Sequence, residues 1–106
     1  MSFEGFVIEN ILCNIPSHVV SSFYRTAVGA EIDLLLSFGM KELWAIEIKL
    51  STTPKLEKGF YIACDDLKPQ RRFVIYSGTE HYVIANGVEV IGLRKFLQLL
   101  RKHLAI

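Results

Sequence analysis

Cysteine is scarce: Cys13 and Cys64 are the only two, and neither has a second Cys or a His at the short spacing that zinc sites use. Zinc binding is therefore not expected. Both thiols are read as small, reduced core residues, neither disulfide-bonded nor catalytic. Histidine is equally sparse, and His18, His81 and His103 stand apart in the sequence as surface or loop residues without an assigned role. Charge of one sign is also lacking. Twelve basic and 11 acidic side chains leave a net charge of +1, so a nucleic-acid surface would have to be a local cluster. No apolar run approaches the roughly 18 to 20 residues that a spanning helix needs, and the first residues lack the order of a signal peptide. A cytoplasmic protein with no membrane partner is expected. Repeats, linkers and low-complexity segments are absent as well.

What is present suits one domain over residues 1–106, with a single core. Half of the residues are apolar (51%), more than a monomer of this size easily buries, which points to a homo-oligomer or a partner surface. Phe3, Phe6, Val7, Ile8 and Ile11 recur at helical spacing over Phe3 to Leu12, ahead of Pro16. Ser17 to Thr26 suits a strand, followed by a turn at Gly29. Glu31 to Ser37 and Glu42 to Leu50 read as antiparallel neighbours, because the Phe38-Gly39-Met40-Lys41 connection is of hairpin length. Thr53-Pro54 reads as a helix start, and Leu56, Phe60, Ala63, Cys64 and Leu67 form the stripe of that helix, which ends before Pro69. Arg72 to Ser77 reads as a strand covered on both faces and reached by a crossover from the strand before the helix. Tyr82 to Ala85 and Val88 to Ile91 flank the tight-turn pair Asn86-Gly87. Leu93, Phe96, Leu97, Leu100 and Leu104 make a last amphipathic helix. The fold class is α/β (α+β): helix, three strands, helix, strand, hairpin, helix, with a mixed sheet flanked by helices.

The chemistry sits on the two hairpin strands. In Ala45-Ile46-Glu47-Ile48-Lys49-Leu50, a period of two sends Ile46, Ile48 and Leu50 to one face and Glu47 and Lys49 to the other. The same period in Glu31-Ile32-Asp33-Leu34-Leu35-Leu36 groups Ile32, Leu34 and Leu36 and sets Asp33 apart, so Asp33 can face Glu47 if the strands pair. Charges inside strands are costly unless they are paired or bind a cation. Two carboxylates suit a hard divalent cation such as Mg²⁺, and an adjacent lysine can hold a water and neutralise a phosphate. Those are the parts of a metal-assisted phosphodiester hydrolase, with Asp33 and Glu47 as metal ligands and Lys49 beside them. Helical geometry puts Glu4 among Val7, Ile8 and Ile11 and Glu9 opposite, so Glu4 is expected to point inward, although an acid in a first turn is also favoured by the helix dipole.

Asp33, then Glu47-Ile48-Lys49 after a hairpin, behind a helix bearing Glu4, resembles the PD-(D/E)XK nuclease superfamily. More narrowly, Phe3-Glu4-Gly5-Phe6-Val7, Phe23-Tyr24-Arg25-Thr26, Glu31-Ile32-Asp33-Leu34, Ile46-Glu47-Ile48-Lys49 and Lys58-Gly59-Phe60 are similar to the domain of unknown function found C-terminal to archaeal and bacterial AAA+-type ATPases. The resemblance implies a three-layer restriction-endonuclease-like core and Mg²⁺- or Mn²⁺-dependent nuclease chemistry, for which DNA is expected ahead of RNA, with RNA left open. It assigns the metal to Asp33 and Glu47, the catalytic lysine to Lys49 and the helix acid to Glu4. It also implies an ATPase module as companion, yet this chain has no Gly-x-x-x-x-Gly-Lys-Ser/Thr loop and is not expected to hydrolyse ATP. A silent module of the same fold that binds nucleic acid, or that serves dimerisation or regulation, stays open beside the enzyme.

The other polar groups have plainer readings. Glu31 is expected to pair with Arg25 or Lys49. Lys55 and Lys58 open the second helix and either meet a DNA backbone or form its solvated face. Arg94, Lys95, Arg101 and Lys102 are read as solubilising the last helix. Phe23, Tyr24, Trp44 and Tyr76 are read as core rather than as base-stacking residues.

Overall fold

A computed structural model describes residues 1–105. The first helix, α1 (Phe3–Leu12), starts where the Ser2 hydroxyl accepts the Gly5 N–H at 3.0 Å. The strands β1 (Val19–Arg25), β2 (Glu31–Phe38) and β3 (Leu43–Lys49) follow as an antiparallel meander. Helix α2 (Lys58–Leu67) then crosses to β4 (Arg71–Tyr76), which runs parallel to β3. A hairpin of β5 (His81–Val83) and β6 (Val88–Gly92) turns at Asn86 and Gly87, both with positive φ (63° and 70°) as the Asn-Gly signal requires. Helix α3 (Leu93–Leu104) closes the chain. The six strands lie in the order β1-β2-β3-β4-β6-β5, a mixed sheet with two antiparallel edges.

Two apolar layers hold the helices to the sheet. On one face Val7 and Ile11 of α1 and Phe96 and Leu100 of α3 pack on Leu34, Leu36, Trp44, Ile46, Phe73 and Ile75. On the other, Phe60, Ala63 and Cys64 of α2 pack on Ile32, Leu35, Ala45, Val74 and Val90. The architecture is therefore the three-layer α/β fold expected from the hydrophobic periods. Among the described residues no helix is long and apolar enough to cross a membrane.

Some local expectations are corrected. The second helix starts at Lys58 behind Glu57, not at Thr53-Pro54. Its start is set by tertiary contact: a Cβ at Gly59 would lie 2.3 Å from the Gly29 carbonyl oxygen, so the first turn of α2 abuts the β1–β2 turn. Phe6 is half exposed, since the buried line of α1 runs through Val7 and Ile11. Cys13 caps α1 in solvent instead of filling the core, whereas Cys64 is buried with its thiol pushed up to about 11, mainly by burial.

Candidate metal centre

The β2–β3 ladder runs from Ser37 opposite Leu43 to Leu34 opposite Ile46, and then stops. Continued, it would set Asp33 against Glu47. Instead the strands part, and side chains take over the exposed backbone donors. The Asp33 N–H donates to Glu47 Oε1 at 3.3 Å, and the Ile48 N–H donates to Asp33 Oδ2 at 2.9 Å. Each carboxylate thus accepts a main-chain N–H of the opposite strand.

The parting begins with a bulge. β1 pairs Ser22 with Leu35 but Tyr24 with Ile32, so Asp33 and Leu34 both stand against Phe23. Alternation slips by one residue there: Leu34 and Leu36 enter the α1/α3 layer while Ile32 enters the α2 layer. The expectation that Ile32, Leu34 and Leu36 share a face is therefore overturned. Asp33 lies on the side of Glu4 and Ile8, and Glu47 lies on the side of α2, where its charge is felt by Cys64. The two acids meet through the opening between strands and not across a common face.

Glu47 is the one buried charged residue among those described, 7% exposed. Burial first, and then the neighbouring Asp33 charge, push its carboxyl up to about 8, while Lys49 pulls the other way. Lys49 Nζ sits 4.0 Å from Glu47 Oε2 but 3.3 Å from Glu57 Oε1, so it bridges the site and the cap of α2. Glu57 escaped the sequence reading. Its only signal is its place ahead of Lys58-Gly59, which the Thr53-Pro54 pattern concealed. Glu4 is exposed rather than buried, and, with Ile8 one turn on, it borders a cavity of about 250 Å³ next to Asp33. Partial burial and then the Asp33 charge raise its pKa.

Among the described residues no set of three His, Cys, Asp or Glu side chains converges on one point. Two carboxylates remain a fitting donor set for Mg²⁺ or Mn²⁺, cations that take one or two such oxygens and keep waters. Burial, and after it the Asp33 charge, disfavour an ionised Glu47, and a cation between the two acids would offset both.

The remaining candidates are placed as follows. Glu31 pairs with Arg25 at 3.0 Å in solvent. Lys55 and Lys58 are exposed, and Lys55 precedes α2 rather than opening it. Trp44 and Tyr76 are core, and the Tyr24 hydroxyl donates to Asp66 at 3.3 Å. Phe23 is not core: it is 69% exposed. His81 and His103 are surface residues paired with Glu89 and Glu42, each at 2.9 Å. Arg101 donates to Asn14 Oδ1 at 3.1 to 3.2 Å, consistent with a structural and solubilising role for the basic face of α3.

A family profile described as a domain of unknown function, DUF4143, matches residues 1–96. The chain belongs to the DUF4143 family. The match takes in every residue of the candidate centre, from Glu4 to Glu57. This DUF4143 domain is similar to two uncharacterized mycobacterial proteins, Mb2031c of Mycobacterium bovis and Rv2008c of Mycobacterium tuberculosis. Each is 27% identical over 96 residues, which cover 91% of this chain and 21% of the relative. The chain thus spans about a fifth of the length of these curated relatives. No solved structure matches it.

Proposed function

We propose that this DUF4143 domain is a Mg²⁺- or Mn²⁺-dependent nuclease module that hydrolyses phosphodiester bonds, with DNA as substrate. One observation carries the reading: two carboxylates from diverging strands meet in a mostly buried opening, with a lysine 4.0 Å from the inner one. When bound, the cation would supply charge neutralisation at the phosphate and a lower pKa for the attacking water. Asp33 and Glu47 would hold it, each keeping oxygen lone pairs free while accepting a backbone N–H. Lys49 donates from Nζ to the attacking water and to the phosphate oxygen on which charge grows. The water oxygen forms the new bond to phosphorus, the bond to the leaving sugar oxygen breaks, and the water's proton passes to solvent. Glu4, on the rim, orients water on the Asp33 side.

A rival reading, a fold-keeping module that binds without cutting, draws support from Lys49 lying nearer Glu57 than Glu47. In the longer relatives we place the domain beside a further module of the ATPase kind, in the cytoplasm, which rests on the resemblance alone. The test is incubation with single-stranded, plasmid, linear and branched DNA in Mg²⁺ or Mn²⁺ beside Lys49→Ala. Cutting by the wild type and not by the variant supports the enzyme; equal cutting, or none, overturns it.

A further inference from the structure

Phe23 is the strand aromatic that neither the core nor the carboxylate pair uses. Aromatic residues on strands normally pack inward, yet 69% of this one is exposed. It lies on the edge strand β1, and the bulge sets it alone against Asp33 and Leu34. The Arg25 guanidinium stands 5.9 Å from its ring centroid and is itself neutralised by Glu31 at 3.0 Å. With Glu4, Ile8, Ile32 and Asp33, these two residues enclose the cavity of about 250 Å³, smaller than pockets for drug-sized ligands.

The chemistry of that cavity selects its occupant. A phosphate meets two carboxylates there and an arginine already committed to Glu31, so it is repelled. A flat uncharged ring is welcome: Phe23 offers a π-face, Ile8 offers an apolar wall, and Glu4 and Asp33 accept hydrogen bonds from exocyclic amino groups. The geometry points to Phe23 as the stacking platform for an unpaired, amino-bearing nucleobase of single-stranded nucleic acid, seated beside the carboxylate pair. Bases inside a duplex are stacked on both faces and do not reach such a platform, so the substrate class is single-stranded. Naming nucleic acid as the ligand rests on the nuclease reading above.

Binding can be measured apart from cutting. Fluorescence anisotropy with an adenine-rich single strand and its duplex, in buffer with EDTA, compares the wild type with Phe23→Ala and Phe23→Trp, and light scattering follows the mass of each. The single strand should bind more tightly than the duplex. Phe23→Ala should weaken single-strand binding by roughly five- to 150-fold, Phe23→Trp should restore it, and duplex binding should not respond. No single-strand binding, a preference for duplex, or equal affinity in Phe23→Ala overturns the proposal. So does a wild-type dimer that Phe23→Ala splits, because the exposed ring and Val20 on the same edge would then cover a second copy. Phe23-dependent binding without cutting in Mg²⁺ would sink the catalytic reading alone, and Lys49-dependent cutting with Phe23-independent binding would sink the stacking platform alone.

Discussion

Removing the charge of Glu47 should flatten the pH dependence of stability in the metal-free protein. Its folded carboxyl titrates near 8 against an ordinary 4.5, so across that window the native state keeps a proton that the unfolded chain has lost. Bound protons then favour the native state, and stability must fall as pH rises from about 4.5 through 8. The difference of about 3.5 units, at 1.36 kcal/mol each, sets a ceiling of about 5 kcal/mol. Even one third of that moves Tm by about 10 °C for a domain of this size. Glu47→Gln keeps the shape and an oxygen for the Asp33 N–H but cannot ionise. Thermal and urea unfolding in EDTA at each pH from 5 to 9 should show the wild type losing stability relative to the variant, and comparing the two cancels the histidines and surface acids. Added Mn²⁺ should restore the wild type at high pH and leave Glu47→Gln unmoved. A wild-type profile that rises with pH, or one that the variant follows in parallel, refutes the electrostatic account of the site.

Other substitutions probe the neighbouring parts. Asp33→Asn should abolish the heat of Mn²⁺ binding in calorimetry while circular dichroism stays native, because the amide still offers an oxygen to the Ile48 N–H. Lys49→Ala should lower cleavage by roughly a hundredfold or more, the usual scale for losing a donor to developing charge, in a gel assay with Mg²⁺. Glu57→Gln should leave Tm unchanged, since exposed ion pairs contribute little, but alter the cleavage rate by freeing Lys49 to lean towards Glu47. Gly59→Ala should cost about 1 to 3 kcal/mol in urea unfolding, because the methyl would strike the Gly29 carbonyl.

Much of the architecture is legible along the chain because the hydrophobic periods are clean. Phe73-Val74-Ile75-Tyr76 is buried on both faces as its unbroken apolar run suggests, and the α3 stripe of Phe96 and Leu100 lands in the core. The nearness of Asp33 and Glu47 follows from a short hairpin. The way they meet does not, since a one-residue slip between β1 and β2 depends on pairing across strands and leaves no trace in Glu31-Ile32-Asp33-Leu34 itself. Glu57 and the late start of α2 were hidden for a similar reason: the contact of Gly59 with Gly29 joins residues far apart in sequence. Glu4 shares the helical face of Val7 and Ile11, as the period says, yet it stays exposed in the first turn of α1, where it borders the cavity beside Asp33. Phe23 shows the limit of propensity, because neither apolar layer reaches its ring, although Val19 and Tyr24 of the same strand join them.

Where β2 and β3 part, two main-chain amides take carboxylates as their acceptors, and this gives the protein its own pair of spectroscopic reporters. Any ligand that draws the Asp33 or Glu47 oxygens towards itself must lengthen or redirect the bonds from the amides of Ile48 and Asp33. In a ¹⁵N-resolved spectrum those two resonances should move first as a cation is titrated in, and their hydrogen exchange should speed up or slow down with occupancy. Filling the centre would thus be readable from the backbone without a label, a cofactor or a substrate.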